Sequence, residues 1–290
     1  MQNRLSNAAQ FLAMEASYED ADVVVFGAPF DGTTSYRPGT RFAAQQMRCE
    51  SDGIETYSPL LDLDLEDYSI CDAGDVALSN GNTPKILSEI EEVAAGIIND
   101  HKKPLMIGGE HLVTLPVIEA LVKKHPNIHI LHFDAHTDLR ETYNNEKLSH
   151  ATVIRRCWDI LGDGRIYQFG IRSGMKQEFD FALKDHHTYM EPFTVHSVKD
   201  IVAQLSGKKV YITIDLDILD PSIFPGTGTP EPGGITYREL ETVFKAIKDA
   251  DIELVGADMV ELSPHYDTAN VSTIVACKVL RELALLVASK

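Results

Sequence analysis

One stretch of this sequence decides its fold, Ile128-His-Ile-Leu-His-Phe-Asp-Ala-His-Thr-Asp138. Its first half is apolar and partly β-branched, which predicts a buried strand over residues 128–133. Three metal-binding side chains follow at two-residue spacing, Asp134, His136 and Asp138. In an extended chain, residues i, i+2 and i+4 point to one face, so these three side chains can converge on one point.

A second segment repeats this design, Val210-Tyr-Ile-Thr-Ile-Asp-Leu-Asp217, in which Asp215 and Asp217 end an apolar strand. A sixth candidate ligand is His111, which follows Gly108-Gly-Glu on a predicted strand-to-helix turn. Four carboxylates and two imidazoles exceed what one cation needs, and an oxygen-rich set with some imidazole suits Mn²⁺ better than zinc. We therefore predict a centre for two Mn²⁺ ions per chain, about 3.5–4 Å apart.

Strand and helix patterns alternate along the chain. Apolar runs predict strands at 23–26, 105–107, 128–133, 166–169, 210–214 and 252–259, with weaker candidates at 68–71 and 187–190. Helical periodicity lies between them at 85–100, 112–124 and 237–249, and an apolar helix at 273–289 follows the last strand. This alternation predicts an α/β fold, a three-layer sandwich with a mostly parallel sheet of about eight strands. Because no linker or repeat interrupts the pattern, we expect a single domain over residues 1–290.

Composition excludes several classes of function. The formal net charge of −18 argues against a nucleic-acid binder, which needs a basic patch for the phosphates. The surplus of carboxylates is compatible with a small cationic substrate. The first twenty residues do not resemble a signal peptide, and we expect no membrane span because no long apolar run occurs. Four scattered cysteines suggest reduced thiols, so we expect a cytoplasmic protein.

Six motifs occur in one order along the chain: Gly108-Gly-Glu-His111, Phe133-Asp-Ala-His-Thr-Asp138, Ser149-His-Ala-Thr152, Ile214-Asp-Leu-Asp-Ile-Leu-Asp-Pro221, Gly226-Thr-Gly-Thr-Pro230 and Val260-Glu-Leu-Ser-Pro264. Together they resemble the ureohydrolase family of arginases and agmatinases. The segment Ser35-Tyr-Arg-Pro-Gly-Thr-Arg-Phe42 is similar to the agmatinase branch. The resemblance implies an arginase-like sandwich with a binuclear manganese site that hydrolyses a guanidino group to urea and an amine.

The resemblance also assigns roles by position. It implies six metal ligands, of which Asp134 and Asp215 bridge the ions: His111, Asp134, His136, Asp138, Asp215 and Asp217. It implies that His150 shuttles protons and that Glu261 holds the guanidinium, and we expect Asp138 to pass on the proton of a metal-bridging hydroxide. A homo-trimer or homo-hexamer is implied as well.

Substrate choice is open in the sequence. Arginases carry Asn two residues after the last Asp of the strand motif, and Arg140 stands there in this chain, which argues against L-arginine. Agmatine, which lacks a carboxylate, fits such a site and would give putrescine for polyamine synthesis. An Arg near the substrate tail would instead favour guanidinobutyrate or formimidoylglutamate, unless Arg140 pairs with Glu141 or another acid.

Two other classes of protein are compatible with the ligand pattern, a non-catalytic metal-dependent binding protein and a deacetylase with one zinc. His150 and Glu261 argue against the binder, and six ligands argue against one zinc. For the neighbouring residues we expect modest roles. Glu110 would support a ligand or cap a helix, Thr229 would hold Glu261 or the substrate or merely form a turn, and His132 would pack beneath the metals.

Overall fold

A nine-stranded sheet forms the centre of this computed structural model, which describes residues 5–6 and 9–290. In chain order the strands are β1 (Leu5–Ser6), β2 (Val23–Ala28), β3 (Tyr57–Ser58), β4 (Leu63–Asp64), β5 (Ile70–Val76), β6 (Lys103–Gly108), β7 (His129–Phe133), β8 (Ile166–Ile171), β9 (Tyr189–Pro192), β10 (Lys209–Asp215) and β11 (Glu253–Val260). The sheet order is β1-β5-β2-β6-β11-β10-β7-β8-β9, and β3 pairs with β4 separately. Only β1 runs antiparallel to its neighbour within this sheet.

In the described part of the chain, eight α-helices cover the two faces of the sheet: α1 (Ala43–Glu50), α2 (Thr83–Asn99), α3 (Thr114–Lys124), α4 (Val153–Leu161), α5 (Lys176–Phe179), α6 (Val198–Gln204), α7 (Tyr237–Asp249) and α8 (Val271–Ser289). One apolar core contains side chains of α1, α6, α7 and α8. The second apolar core contains side chains of α2, α3, α4 and α5. Strand β2 shows how one strand serves both cores. Its Val23 and Val25 enter the first core, and Val24 and Phe26 enter the second, because neighbouring side chains alternate between the faces.

Local sequence sets the helix boundaries. Helix α7 begins where Thr236 and Glu239 form a reciprocal capping box, and it buries an i, i+3, i+4, i+7 stripe from Leu240 to Ile247. Helix α2 begins two residues earlier than its apolar pattern, because the side chain of Asn82 accepts a hydrogen bond from the backbone N–H of Lys85.

The predicted three-layer α/β sandwich with a mostly parallel sheet of about eight strands is confirmed. The ninth strand, β1, has only two residues, too few to leave a pattern in the sequence. The sequence patterns also missed α1, whose residues AAQQMRCE carry little apolar periodicity, and the helices α4, α5 and α6, each of nine residues or fewer. Among the described residues, no helix has the length and apolar character to span a membrane, and this includes the 19-residue α8.

A buried ion pair ties α1 to the sheet. Arg48 donates to Asp72 of β5 from Nε at 2.8 Å and from Nη2 at 2.9 Å, and its Nη1 lies 2.5 Å from Asp75. The same Asp72 carboxylate accepts the backbone N–H of Phe11 at 2.9 Å. Although burial lowers the pKa of Arg48, its hydrogen bonds with Asp72 outweigh that effect and raise it above its usual value.

We expect Arg48→Met to lower the free energy of unfolding by about 3–5 kcal/mol, because the substitution removes the guanidinium that balances the buried charge of Asp72. Urea denaturation followed by circular dichroism measures this loss. The control is Arg238→Met, which breaks an exposed pair with Glu241 at 2.9 Å and should cost at most about 1 kcal/mol. Similar losses in both variants would contradict the structural role of Arg48.

Candidate metal centre

The candidate ligands meet where four neighbouring strands end. Strands β6, β11, β10 and β7 are adjacent in the sheet and parallel, so their carboxyl ends share one edge. His111 follows β6 by three residues, Asp134 comes directly after β7, Asp215 is the last residue of β10 and Glu261 comes directly after β11. Side chains that lie far apart in sequence are therefore brought together by strand order alone, at the edge where ligands bind in open α/β sheets.

Four polar atoms face each other at the first half of this centre. The Nδ1 atom of His111 is buried without a hydrogen-bond partner, and it lies 3.1 Å from Asp134 Oδ2, 3.2 Å from Asp138 Oδ2 and 3.4 Å from Asp215 Oδ2. A single proton on Nδ1 can form a hydrogen bond to only one of these three oxygens, which lie at similar distances. A cation among the four atoms satisfies all of them, so the residues present fit a metal ion.

A second group shares Asp134 with the first. His136 Nδ1 lies 2.9 Å from Asp217 Oδ2 and 3.5 Å from Asp134 Oδ1. The two groups of potential ligands in the described chain thus meet at Asp134, one oxygen of which faces each group. This sharing is the arrangement expected of a carboxylate that bridges two ions.

The orientation of His111 is fixed from beneath. Its Nε2 lies 2.9 Å from Thr213 Oγ1, and this hydroxyl donates at 2.6 Å to the buried carboxylate of Asp258. Because Thr213 gives its proton to Asp258, it accepts from Nε2–H of His111, which leaves the lone pair on Nδ1. The side chain therefore presents its Nδ1 to the carboxylates as a ligand requires.

His132, expected to pack beneath the metals, lies there and also contacts the centre. Its Nε2 lies 2.8 Å from Asp134 Oδ2, and its Nδ1 lies 3.2 Å from the side-chain nitrogen of Gln168. Gln168 is itself oriented, since it donates to Thr137 O at 2.8 Å and accepts from Thr188 at 2.9 Å. His132 therefore donates from Nε2 and orients Asp134, which leaves it no lone pair there for a metal. Its place two residues before Asp134 was the signal that sequence reasoning undervalued.

Asp134, His136 and Asp138 converge, but not because they share one face of an extended strand, as the sequence predicted. Strand β7 ends at Phe133, and the backbone of Asp138 turns into the left-handed region with φ of 51°. Glu261 also has a positive φ, 68°. Such backbone costs energy in residues other than glycine and gathers at functional sites, where the surroundings hold it.

A cavity of about 150 Å³ opens onto this centre. Its walls include candidate ligands together with Glu261, His150, Thr229 and Arg140. Drug-sized ligands occupy pockets of roughly 300–1,000 Å³, so this cavity suits a small, slender molecule.

Negative charge inside the centre is poorly compensated by the protein. Burial, with the nearby charges of Glu110 and Asp217, raises the pKa of Glu261 well above its usual range. Burial and the charge of Asp217 do the same for the pKa of Asp215. Although burial lowers the pKa of His111, the carboxylates of Asp134, Asp138 and Asp215 close to its Nδ1 raise it well above the usual value. A bound cation would take the place of these protons.

The structure also shows the contacts of Thr229, Glu110 and Arg140. Thr229 donates to Asp217 Oδ2 at 3.3 Å and contacts the second ligand group rather than Glu261. Glu110 does not cap a helix with its side chain, and instead accepts hydrogen bonds from Thr33 and Thr34. Arg140 lines the cavity and does not pair with Glu141; its Nε lies 3.6 Å from Glu178.

Comparison with known proteins agrees with this geometry. Residues 21–286 match the model of the arginase family. An agmatinase of Bacillus anthracis is 46% identical over 275 residues, 95% of each chain. A solved structure from Clostridium difficile, provisionally described as an agmatinase, superposes with a TM-score of 0.93 at 59% identity and covers 94% of this chain and 99% of its own. A guanidinobutyrase of Pseudomonas aeruginosa is 32% identical and covers 92% of this chain and 87% of its own.

The fold, the clustered ligands and the family match agree, and the chain belongs to the arginase family. The agmatinase and the guanidinobutyrase named above are enzymes of the ureohydrolase class, which confirms the resemblance read from the sequence motifs.

We expect divalent cations to stabilise the protein, by about 2.7 kcal/mol when free metal is one hundred times its Kd. Thermal unfolding of protein stripped with a chelator and then titrated with Mn²⁺ measures this. Because bound metal displaces protons from His111 and the carboxylates, affinity should fall as the pH is lowered from 8 to 6. Asp134→Asn should remove most of the stabilisation, and full stabilisation of that variant would contradict a shared bridging ligand.

Proposed function

We propose that this protein hydrolyses agmatine with one water to give putrescine and urea, at a centre that holds two Mn²⁺ ions. One observation carries the proposal, the meeting of candidate metal ligands, the carboxylate of Glu261 and the imidazole of His150 in one small cavity. The similar agmatinases support agmatine as the substrate. Six ligands, four carboxylates and two imidazoles, support Mn²⁺ as the metal, with His111, Asp134 and Asp138 on one side and His136 and Asp217 on the other. Asp215, near the first group, is the second bridging candidate.

In the proposed reaction Glu261 orients the substrate. Its Oε1 accepts the backbone N–H of His111 at 3.0 Å, which fixes the carboxylate close to a candidate ligand. An added Cβ at Gly228 would lie 3.4 Å from Oε2, so the glycine leaves space on that side of the carboxylate. A planar guanidinium pairs well with a carboxylate held in this way, and the pairing directs its carbon toward the metal centre.

Proton transfers complete the reaction. When bound, two divalent cations supply hydroxide at neutral pH because they lower the pKa of water. Asp138, which lines the cavity, accepts the proton that is released when the guanidinium carbon is attacked. Burial, with the charge of His136 next, lowers the pKa of His150 to about 4, so the ring is neutral at neutral pH and relays a proton to the departing amine.

The surroundings of Arg140 support a substrate without a carboxylate. Glu178 is buried and lies 3.6 Å from the Arg140 Nε, so the charge of Arg140 already has an anionic partner. The guanidinium of Arg140 also lies 4.7 Å from the centre of the Tyr143 ring. An arginine engaged in this way does not strongly repel the ammonium of agmatine. The competing substrates, guanidinobutyrate and formimidoylglutamate, remain for the assay to decide.

Several broader properties belong to the same proposal. A single domain over residues 1–290 is supported by the packing of both apolar cores on one sheet. The four free cysteines support a reducing, cytoplasmic location. A homo-trimer or homo-hexamer, which light scattering would detect, and a role in polyamine synthesis follow from the proposed family branch and substrate.

Urea release by Mn²⁺-loaded protein tests the function. We expect strong turnover of agmatine, little turnover of L-arginine or 4-guanidinobutyrate, and little formamide from formimidoylglutamate.

Glu261→Gln keeps the size and an acceptor oxygen but loses the charge, so kcat/KM should fall about 100-fold while two Mn²⁺ per chain remain bound. Preference for a carboxylate-tailed substrate would keep the mechanism and change the substrate. No turnover would favour a metal-dependent binding protein, and one tightly held zinc would favour a deacetylase.

We expect Arg140→Met to change kcat/KM for agmatine by less than about tenfold and to leave 4-guanidinobutyrate a poor substrate, because Glu178 already neutralises Arg140. Parallel assays of both substrates measure the ratio. A wild type that prefers 4-guanidinobutyrate, with that preference lost in the variant, would show instead that Arg140 recognises a carboxylate tail.

A further inference from the structure

Thr33 stands between a buried carboxylate and the cavity histidine. Its hydroxyl donates to Glu110 Oε1 at 2.6 Å, and its backbone N–H donates to Glu110 Oε2 at 3.0 Å. On its other side the hydroxyl oxygen accepts the backbone N–H of His150 at 3.0 Å and lies 3.4 Å from His150 Nδ1. The proposed reaction as described above uses neither Thr33 nor the side chain of Glu110.

The directions of these hydrogen bonds follow from the count of protons. A hydroxyl has one proton to donate, and the short contact with the Glu110 carboxylate takes it. Toward His150 the Thr33 oxygen can therefore only accept, so Nδ1 contacts it favourably when Nδ1 carries a proton. The Ser149 hydroxyl oxygen, 3.3 Å from the same Nδ1, can accept that proton as well. The neutral ring then has its lone pair on Nε2, which lies 3.3 Å from Ser35 Oγ.

The surroundings hold this arrangement in place. Glu110 is fully buried, and a second hydroxyl, that of Thr34, donates to its Oε2 at 3.0 Å. The edge of the His150 ring packs against Tyr143 at 5.5 Å between ring centres. Thr33 also lines a second cavity, of about 570 Å³. This cavity shares no lining residue with the cavity at the metal centre.

We propose that Thr33 is a positioning residue for proton transfer by His150, which it orients through a hydrogen-bonded chain from Glu110. The chain holds the imidazole with Nδ1–H toward Thr33 and keeps Nε2 free to take and release a proton. When Nε2 is protonated, the Nδ1–H, the Thr33 hydroxyl and the Glu110 carboxylate spread the positive charge away from the cavity. The inference rests on the role of His150 in the proposed function.

Two substitutions at one position test the chain. Thr33→Val keeps the shape and removes the hydroxyl, and Thr33→Ser restores the hydroxyl. With Mn²⁺-loaded protein and agmatine, we expect Thr33→Val to lower kcat by about 10- to 100-fold with KM changed less than about threefold. Thr33→Ser should recover kcat to within about threefold of wild type.

The matched control is Thr34→Val, which removes a hydroxyl from the same carboxylate without touching His150. It should lower kcat much less than Thr33→Val does. Equal losses in the two valine variants, no recovery in Thr33→Ser, or a change confined to KM would each overturn the inference.

A measurement without turnover separates this inference from the proposed substrate. Nitrogen-15 spectra of histidine-labelled protein loaded with diamagnetic Zn²⁺ report the tautomer of His150, whose signals are identified by their loss in His150→Asn. We expect the Nδ1–H form in wild type and a shift toward Nε2–H in Thr33→Val. If wild type shows Nε2–H, the inference is wrong even if agmatine is hydrolysed. If it shows Nδ1–H in a protein that does not hydrolyse agmatine, only the proposed substrate fails.

Discussion

The repulsion among carboxylates at one sheet edge is the constraint on which the rest of this structure depends. Asp134, Asp138, Asp215 and Asp217 are buried and converge at this edge, and Glu261 lies beside them. In such surroundings a set of unpaired carboxylates costs many kcal/mol or takes up protons. Three imidazoles lie within the two ligand groups, those of His111, His132 and His136, and they are too few to balance the carboxylates, so compensation is left to bound cations.

Orientation of the ligands depends on a layer of polar groups beneath them. Thr213 and Asp258 set the ring of His111, and Gln168 sets the ring of His132, which in turn donates to Asp134. Each contact decides which atom carries a proton, and so each decides which lone pair faces the centre. The same logic extends from Glu110 through Thr33 to His150.

The sequence was a good guide to the fold because strands that are buried on both faces are nearly continuous apolar runs. It was also a good guide to the candidate site, because the side chains stand at strand ends and parallel strands end at one edge. The sequence did not indicate which side chains contact Glu110, because Thr33 lies 77 positions away on a loop without a periodic pattern. Gln168 is a similar case, for its role depends on the register that pairs it with His132 across β7 and β8. Strand register and loop placement follow from tertiary packing, which single-residue patterns do not encode.

Anomalous diffraction from crystals of the Mn²⁺-loaded protein, recorded near the manganese absorption edge, tests the central claim most directly. We expect two peaks about 3.5–4 Å apart, with Asp134 in contact with both, one peak near His111 Nδ1 and the other near His136 Nδ1. A single peak held by His111 alone, or peaks that lie away from Asp134, would contradict a binuclear centre built on the converging carboxylates.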